Sequence, residues 1–291
     1  MDPLEELIRA QPGLSIALGV LGLVVGSFLN VVIHRLPKMM ERQWERECAE
    51  FVGEEFRGEE IHEAKPYSLA FPGSHCPSCG AEIKALQNIP VLSYLFLRGR
   101  CANCGVAISV RYPLVELTTA AIWVLCGLSF GVSNALAAAM LLTAVLISLT
   151  AIDLDHQLLP DSLTLPLLWV GLLINIDATF VPLESAVLGA VFGYLCLWSV
   201  YWLFKIITGK EGMGYGDFKL LAALGAWFGL SALPTIVLLS SLVGAVIGIM
   251  LIVTGRQSRE TPMPFGPFLA GAGLIHLFYP NALMGWIAGT L

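Results

Sequence analysis

Long apolar stretches alternate with short polar segments along most of this sequence. Eight stretches are candidate transmembrane helices, because a helix needs about 20 residues to cross the hydrocarbon core of a bilayer. They cover residues 14–33, 113–130, 135–152, 163–180, 187–207, 218–233, 235–253 and 265–289. The boundary between the sixth and seventh depends only on Ser231 and Pro234. The pattern predicts an all-α polytopic membrane protein with about eight transmembrane helices.

Composition supports a membrane protein and excludes an ordinary soluble domain. Hydrophobic residues make up 56% of the 291 residues, charged residues only 13%, and the mean hydropathy is +0.77. A soluble domain carries about 25% charged residues. The first apolar stretch lacks the basic segment and small-residue cleavage site of a signal peptide, so we interpret it as a retained helix.

The polar residues concentrate in one region and predict a three-part organisation. Residues 1–33 contain the first transmembrane helix, residues 34–112 form a small cytoplasmic insertion, and residues 113–291 form a seven-span membrane body. Within the insertion, the charged stretch 39–65 predicts a surface helix, or a helical hairpin broken near Gly53 and Gly58. Residues 86–97 are apolar but too short to span a membrane.

Lysine and arginine are distributed asymmetrically with respect to the predicted helices. Of the sixteen, ten lie in 34–112, three in 205–219 and two in 254–264, which leaves only Arg9 on the opposite side. Because short cytoplasmic loops are enriched in these residues, the segments with many cations are expected to be cytoplasmic and both termini external. The expected environment is a lipid bilayer, and no nucleic-acid partner is expected.

Four of the seven cysteines form two matched pairs in the insertion. Cys76 and Cys79 make one C-x-x-C-G turn, and Cys101 and Cys104 make a second. The flanking sequences HCPSCGAEI and RCANCGVAI also resemble each other, which indicates an internal repeat. Four thiolates in this spacing favour a closed, structural, tetrahedral zinc site. The alternative is a pair of redox-active dithiols.

Several aspartates lie at predicted helix ends in the membrane body. Asp153, Asp155 and Asp161 follow the third span, and Asp217 begins the sixth. Two crossings separate Asp153 from Asp217, so both are expected at one face of the membrane. Two carboxyl groups that share a site can act as an acid and a base, because they do not both ionise easily. The alternative is that these residues only cap helices, which suits Asp161 best.

Four stretches of this chain together resemble the bacterial type IV prepilin peptidases. They are GSFLNVVIHRLP at 26–37, the cysteine pairs with RYPLVEL at 111–117, IDLDHQLLPD at 152–161 and GMGYGDFKLLAALGAW at 212–227. The last contains the GxGD signature that is similar to that of other intramembrane aspartyl proteases. The resemblance covers nearly the whole chain.

The resemblance implies a bifunctional enzyme of the bacterial inner membrane. Such enzymes cleave the leader peptides of type IV prepilins and type II secretion pseudopilins on the cytoplasmic side. They then methylate the new terminal amine, usually that of Phe, with S-adenosylmethionine. The resemblance places the catalytic aspartates at Asp153 and Asp217, and a residue associated with methyl transfer at Glu116. It places zinc at the four cysteines of the insertion: Cys76, Cys79, Cys101 and Cys104.

Two other classes of function remain compatible with the pattern of residues. Intramembrane aspartates also bind the coupling ion in ion-coupled transporters, although the zinc module and the lack of an obvious inverted repeat argue against one. A non-enzymatic assembly factor of a secretion system, with the zinc module as a docking surface, is the second alternative. The sequence contains no glycine-rich fingerprint that would locate a pocket for S-adenosylmethionine.

Overall fold

The computed structural model describes residues 12–52, 67–255 and 263–280, and their regular structure is helical. Within those ranges no strand forms, and extended pairing is limited to two isolated β-bridges. The predicted all-α class is therefore confirmed. The described ranges contain nine α-helices: α1 Pro12–Val52, α2 Leu92–Phe96, α3 Arg111–Phe130, α4 Asn134–His156, α5 Asp161–Ile174, α6 Leu183–Thr208, α7 Tyr215–Phe228, α8 Leu233–Val253 and α9 Gly266–Phe278.

Helices lie at all eight positions predicted to span the membrane, but they differ in length. Five are long and apolar enough to cross a bilayer, namely α1, α3, α4, α6 and the stretch Leu230–Val253 that contains α8. Helices α5 and α7 have 14 residues each, and α9 has 13. Residues 281–289 of the last predicted span lie outside the described ranges. The chain is thus a multi-pass membrane protein, and the count of eight spans stays a prediction.

The first helix extends beyond the span predicted at 14–33. Helix α1 continues without a break for 41 residues, through Pro37, into the charged stretch. Its polar part is rich in Glu and Arg, which are good helix formers, and Gln43 donates a hydrogen bond to Glu47 one turn later at 2.8 Å. The helix predicted for the beginning of the 39–65 stretch is present. Residues 53–65, with the predicted break at Gly53 and Gly58, lie outside the described ranges, as do the amino-terminal residues around Arg9.

The contacts divide the chain into two compact units, with the division along the sequence between Leu128 and Ser129. In the first unit, α1 and α3 approach closely, because a Cβ atom at Gly22 would lie 2.6 Å from the Cα of Ala120. The domain boundaries predicted from the sequence, at residues 33 and 112, separate apolar from polar segments. The division at Leu128 instead separates groups of residues that contact one another in the structure.

Helix α7 is the centre of the second unit and packs against α5, α6 and α9. Its side chains from Leu220 to Phe228 are all buried. Where α6 crosses it, a Cβ atom at either Gly189 or Gly225 would overlap the other residue's backbone. The two backbones therefore touch directly at this crossing.

A buried asparagine caps the carboxyl end of α7. The Asn175 side-chain amide donates to the carbonyls of Ala226 and Trp227 at 2.9 and 3.0 Å, and its oxygen accepts the backbone N–H groups of Phe180 and Val181. Helix ends leave carbonyl groups without intrahelical partners, and a lipid environment supplies none. Asn175 therefore stabilises the end of α7 opposite to Asp217.

Candidate functional site

Two cysteine turns in the first unit have the same backbone structure. In the first, the N–H of Gly80 donates to the carbonyl of Cys76 at 2.9 Å, and in the second the N–H of Gly105 donates to that of Cys101 at 3.0 Å. Both glycines have left-handed φ values, +68° and +72°, which residues with a Cβ atom seldom adopt. The internal repeat seen in the sequence is therefore a repeated structure.

The four cysteine sulfurs converge on one point between these turns. All four Sγ atoms lie within 4.8 Å of one another, and those of Cys76 and Cys104 are 3.9 Å apart. A tetrahedral zinc ion with Zn–S bonds of about 2.3 Å would place its sulfurs about 3.8 Å apart. The residues present therefore fit zinc. A pair of independent dithiols would not require sulfurs from different turns to meet.

Asn103 supports the sulfur cluster from the second turn. Its side-chain amide donates to the Sγ of Cys79 at 3.5 Å, and its backbone N–H lies at the same distance from the Sγ of Cys101. The hydrogen bond from the Asn103 side chain is the main cause that lowers the pKa of Cys79 to about 6. Donors of this kind favour the thiolate form, which is the form that binds metal.

Glu116, the candidate for methyl transfer, lies in α3 and is 7% exposed. Its carboxylate accepts the backbone N–H of Val91 at 2.8 Å and a hydrogen bond from the side chain of Ser27. Val91 precedes α2, in the segment between the two cysteine turns, and has a left-handed φ of 59°. Glu116 therefore joins that segment to α1 and α3.

The second unit brings together two carboxyl groups from separate helices. Asp153 lies in the last turn of α4 and Asp217 in the first turn of α7, and the two are 5% and 7% exposed. Leu159 lies against Gly216, which precedes Asp217, and against Gly266, whose N–H binds Asp153, so the segments that carry the two carboxyl groups are neighbours. Asp153 is at the carboxyl end of α4 and Asp217 at the amino end of α7. These positions agree with the expectation that two intervening membrane crossings return the chain to the same face. Buried ionisable groups in a membrane helix are costly and commonly functional.

Leu159, six residues after Asp153, packs against the start of α7 and against the start of α9. A Cβ atom at Gly216 would lie 2.7 Å from the Cβ of Leu159, and one at Gly266 would lie 3.0 Å from its Cδ2. In the GxGD segment, therefore, Gly216 must lack a side chain for packing reasons. Gly214 is different, because a Cβ there would meet its nearest atom, the Oδ2 of Asp217, only at 3.9 Å.

A third segment, which the sequence did not single out, reaches Asp153. The backbone N–H of Gly266 donates to the Oδ2 of Asp153 at 2.9 Å across 113 residues. Proline at 264 and 267 marks the start of a helix here, but no local signal could show which side chain the helix would meet.

The other polar residues near the pair are more exposed. Asp155 and His156 are exposed at the end of α4. Asp161 is the first residue of α5, after Pro160 as the N-cap, and both its oxygens accept from Lys219 at 2.7 Å. Asp161 is therefore an ion-pair partner at the start of α5.

Comparison with known proteins agrees with this arrangement. The family model for the bacterial peptidase A24 N-terminal domain matches residues 20–130, and that for the type IV leader peptidase family matches residues 140–249. A relative from Aeromonas salmonicida (strain A449) is 53% identical over 292 residues, covering 100% of both chains. One from Pseudomonas aeruginosa PAO1 is 52% identical over 282 residues, covering 97% of this chain and 96% of its own. Both are named prepilin leader peptidase/N-methyltransferase.

A more divergent relative, from Burkholderia pseudomallei strain 1026b, carries the same name and is 50% identical over 278 residues, covering 95% of this chain and 89% of its own. These names give no support to the transporter or assembly-factor alternatives. No solved structure matches the chain significantly. The matches extend over both structural units, and we conclude that the chain belongs to the type IV leader peptidase family.

Proposed function

We propose that this chain cleaves the leader peptides of type IV prepilins and methylates the amine that cleavage exposes. The observation that carries the proposal is the convergence of two buried carboxyl groups, Asp153 and Asp217, in a chain that matches prepilin leader peptidase/N-methyltransferases along nearly all its length. Two neighbouring carboxyl groups in a low-dielectric site share one proton, which supplies an acid and a base together.

In the peptidase reaction we assign Asp153 and Asp217 as the catalytic pair. The ionised carboxyl group takes a proton from water as the water oxygen attacks the carbonyl carbon of the scissile bond. The protonated carboxyl group donates a hydrogen bond to the carbonyl oxygen as negative charge develops there. When the tetrahedral intermediate collapses, the C–N bond breaks and the amine nitrogen receives the proton.

Methyl transfer is assigned to the same chain, with S-adenosylmethionine as the donor. When bound, this cofactor supplies an electrophilic methyl group on a sulfonium ion. The protein must hold the substrate amine, in its neutral form, in line with that methyl group, so the step is mainly one of positioning. We propose that the polar region 34–112 supports this activity and that the membrane body 113–291 carries out cleavage.

We propose that Cys76, Cys79, Cys101 and Cys104 hold one structural zinc ion. The distances among the four sulfurs support this assignment. Glu116 then stabilises the same region, because its carboxylate fixes the segment that joins the two cysteine turns. This hydrogen bond explains how Glu116 can support methyl transfer without a contact between its side chain and the substrate.

The location and the substrates follow from the same assignment. The distribution of Lys and Arg supports a bacterial inner-membrane protein with its aspartate end and zinc region in the cytoplasm. Pseudopilins of type II secretion are proposed as further substrates, with Phe as the usual methylated residue.

Mass spectrometry of a prepilin tests the proposal directly. The purified protein in detergent is incubated with an uncut prepilin, with and without S-adenosylmethionine. We expect loss of the leader in both samples and an added mass of one methyl group only in the sample that contains the cofactor. An uncut substrate in both samples, with wild-type protein that is folded, contradicts the proposal.

A further inference from the structure

Helix α9 begins at the buried carboxyl group of Asp153. The N-cap of this helix is Phe265, and its first two residues are Gly266 and Pro267. Proline has no N–H group, and the N–H groups of Phe268 and Leu269 donate to the carbonyl of Phe265 at 3.1 and 3.2 Å. In this first turn, therefore, the N–H of Gly266 is the donor that is available to Asp153, and it lies 2.9 Å from Oδ2.

The absence of a side chain at position 266 is required by the carboxyl group. A Cβ atom there would lie 2.7 Å from the Oδ2 and 3.2 Å from the Cγ of Asp153. Real Cβ atoms essentially never approach another heavy atom closer than 3.0 Å. Any larger residue would therefore displace the carboxyl group, whereas glycine lets the backbone come within hydrogen-bonding distance of it.

The direction of α9 gives this contact an electrostatic effect as well. The amino end of a helix carries partial positive charge, and a backbone N–H that donates to a carboxylate makes a charge-assisted hydrogen bond. Such a bond is stronger in a buried site than in water. It holds Oδ2 in one place and so fixes the orientation of the whole carboxyl group.

We propose that Gly266 is a positioning residue for leader cleavage, acting through its backbone N–H on Asp153, and that α9 is the third helix of the peptidase site. This inference rests on the proposed peptidase function and on Asp153 as a catalytic residue. It adds a third segment to the pair of aspartates, in addition to α4 and α7, at a position that is distant from both in sequence.

The test compares alanine at three glycines of α9. Gly266→Ala displaces the carboxyl group of Asp153. Gly271→Ala is the neutral control, because nothing lies within 4 Å of a Cβ atom there. Gly273→Ala is the packing control, because its Cβ atom would lie 2.7 Å from the Cδ2 of Leu224 and no contact with either aspartate is involved.

Kinetics on an uncut prepilin distinguish positioning from general packing. We expect kcat for Gly266→Ala to fall on the order of 100-fold, the effect of a shift of about 1 Å in a catalytic group, with KM little changed. Gly271→Ala should cleave like wild type, and Gly273→Ala should keep kcat within a few-fold. Equal losses of kcat in Gly266→Ala and Gly273→Ala, after correction for the folded fraction, overturn the proposal.

A stability measurement covers the case in which Gly266→Ala folds poorly. The melting temperature is measured for Gly266→Ala in the wild-type background and in an Asp153→Ala background. The closest approach of the new Cβ atom is to the Asp153 carboxyl group, at 2.7 Å, ahead of Leu159 at 3.0 Å. The second decrease should therefore be clearly smaller, since residues in contact do not behave additively. Equal decreases, or failure to fold in both backgrounds, contradict the contact.

The same experiment separates this inference from the proposed function. If wild-type protein cleaves and Asp153→Asn does not, the catalytic assignment stands, and normal cleavage by Gly266→Ala refutes only the role of Gly266. If Asp153→Asn cleaves normally, the catalytic assignment itself is wrong, and the role of Gly266 in cleavage is refuted with it.

Discussion

Lys219 donates to both carboxylate oxygens of Asp161 at 2.7 Å, and this ion pair joins the start of α5 to α7 just after Asp217. The two residues are 58 positions apart in sequence. Asp161 is more than half exposed and Lys219 about a quarter exposed. Exposed ion pairs contribute at most about 1 kcal/mol to stability. The pair is better understood as a contact that aligns the two helices, α5 and α7, that flank the site.

Removal of this ion pair should lower activity more than stability. Lys219→Met frees the first turns of α7 to shift relative to α5, and a 1 Å shift of Asp217 would cost about 100-fold in kcat. The free energy of unfolding should change by no more than about 1 kcal/mol. The measurement is prepilin cleavage together with thermal unfolding. Lys210→Met, which removes an exposed cation from the preceding loop, is the matched control.

The charge-exchanged variant, Lys219→Asp with Asp161→Lys, should recover part of the activity that either single change removes. If the double variant is as inactive as the worse single variant, Lys219 acts through something other than Asp161.

Asp153 and Asp217 should each be essential for cleavage. Asp→Asn keeps the size of the side chain but removes the acid and base, which contribute roughly 10²–10⁴-fold each to catalysis. The rate of leader cleavage, measured with an uncut prepilin, should fall at least about 100-fold in Asp153→Asn and in Asp217→Asn. Asp155→Asn is the control, because Asp155 lies two residues after Asp153 on α4 and is exposed. Full activity in either of the first two variants refutes the catalytic pair.

The two glycines of the GxGD segment should respond differently to alanine. At Gly216 the new Cβ atom would lie 2.7 Å from the Cβ of Leu159, while at Gly214 it would meet nothing closer than 3.9 Å. Overpacking costs typically 1–3 kcal/mol, so Gly216→Ala should lower the melting temperature and the cleavage rate. Gly214→Ala should stay near wild type in both. Equal sensitivity at the two positions would show that the contact with Leu159 is not what requires glycine.

Loss of the metal should reduce methylation more than cleavage. Replacement of Cys76 and Cys79 by Ser removes two of four thiolates from a kind of site that contributes about 10–16 kcal/mol in zinc-finger peptides at pH 7. We expect the variant to be purified without zinc. Methylation is measured on a pre-cut pilin with a free terminal Phe, and cleavage on an uncut prepilin.

Cys48→Ser is the control for this experiment, because Cys48 is exposed on α1 and lies outside the sulfur cluster. A metal-free variant that methylates the pre-cut pilin at the wild-type rate would show that zinc does not support the methyl-transfer activity.

The proposed orientation is testable by cysteine labelling in intact cells. Val132, 85% exposed between α3 and α4, is expected outside, and Lys210, exposed between α6 and α7, is expected inside. In a background without Cys48, Cys126 and Cys196, an impermeant thiol reagent should label Val132→Cys and not Lys210→Cys. The reverse pattern refutes the orientation. The stretch 256–259, expected inside as well, lies outside the described ranges.

Local sequence patterns were sufficient for the helices and for the grouping of key side chains. Apolar blocks predicted the helix positions because a chain that crosses lipid must satisfy its backbone hydrogen bonds within a helix. The two C-x-x-C turns predicted the sulfur cluster because the repeat is local and symmetrical. The meeting of Asp153 and Asp217 followed from a count of crossings, which needs no knowledge of packing.

Contacts between distant segments could not be predicted in this way. Gly266 meets Asp153 across 113 residues and Asn175 meets Ala226 across 51. Each depends on the rotation and axial register of two helices, which are set by the packing of many side chains. A helix in the charged stretch was predicted, but its continuity with the first span was missed for another reason. The polarity of the chain changes at the membrane surface, whereas its helical structure continues.

The lengths of α5 and α7 bear on how deep in the membrane the proposed catalytic pair lies. Each has 14 residues and rises about 21 Å, some 9 Å less than the hydrocarbon thickness of about 30 Å. The hydrogen bond from Asn175 to Trp227 joins the carboxyl ends of α5 and α7. Both helices are therefore shorter than the hydrocarbon thickness in the same place. Hydrophobic mismatch of this kind thins the surrounding bilayer or draws its polar surface inward. If α5 and α7 both span the membrane, either response brings bulk water to Asp153 and Asp217, and the water for the proposed hydrolysis reaches the carboxyl groups without a dedicated channel.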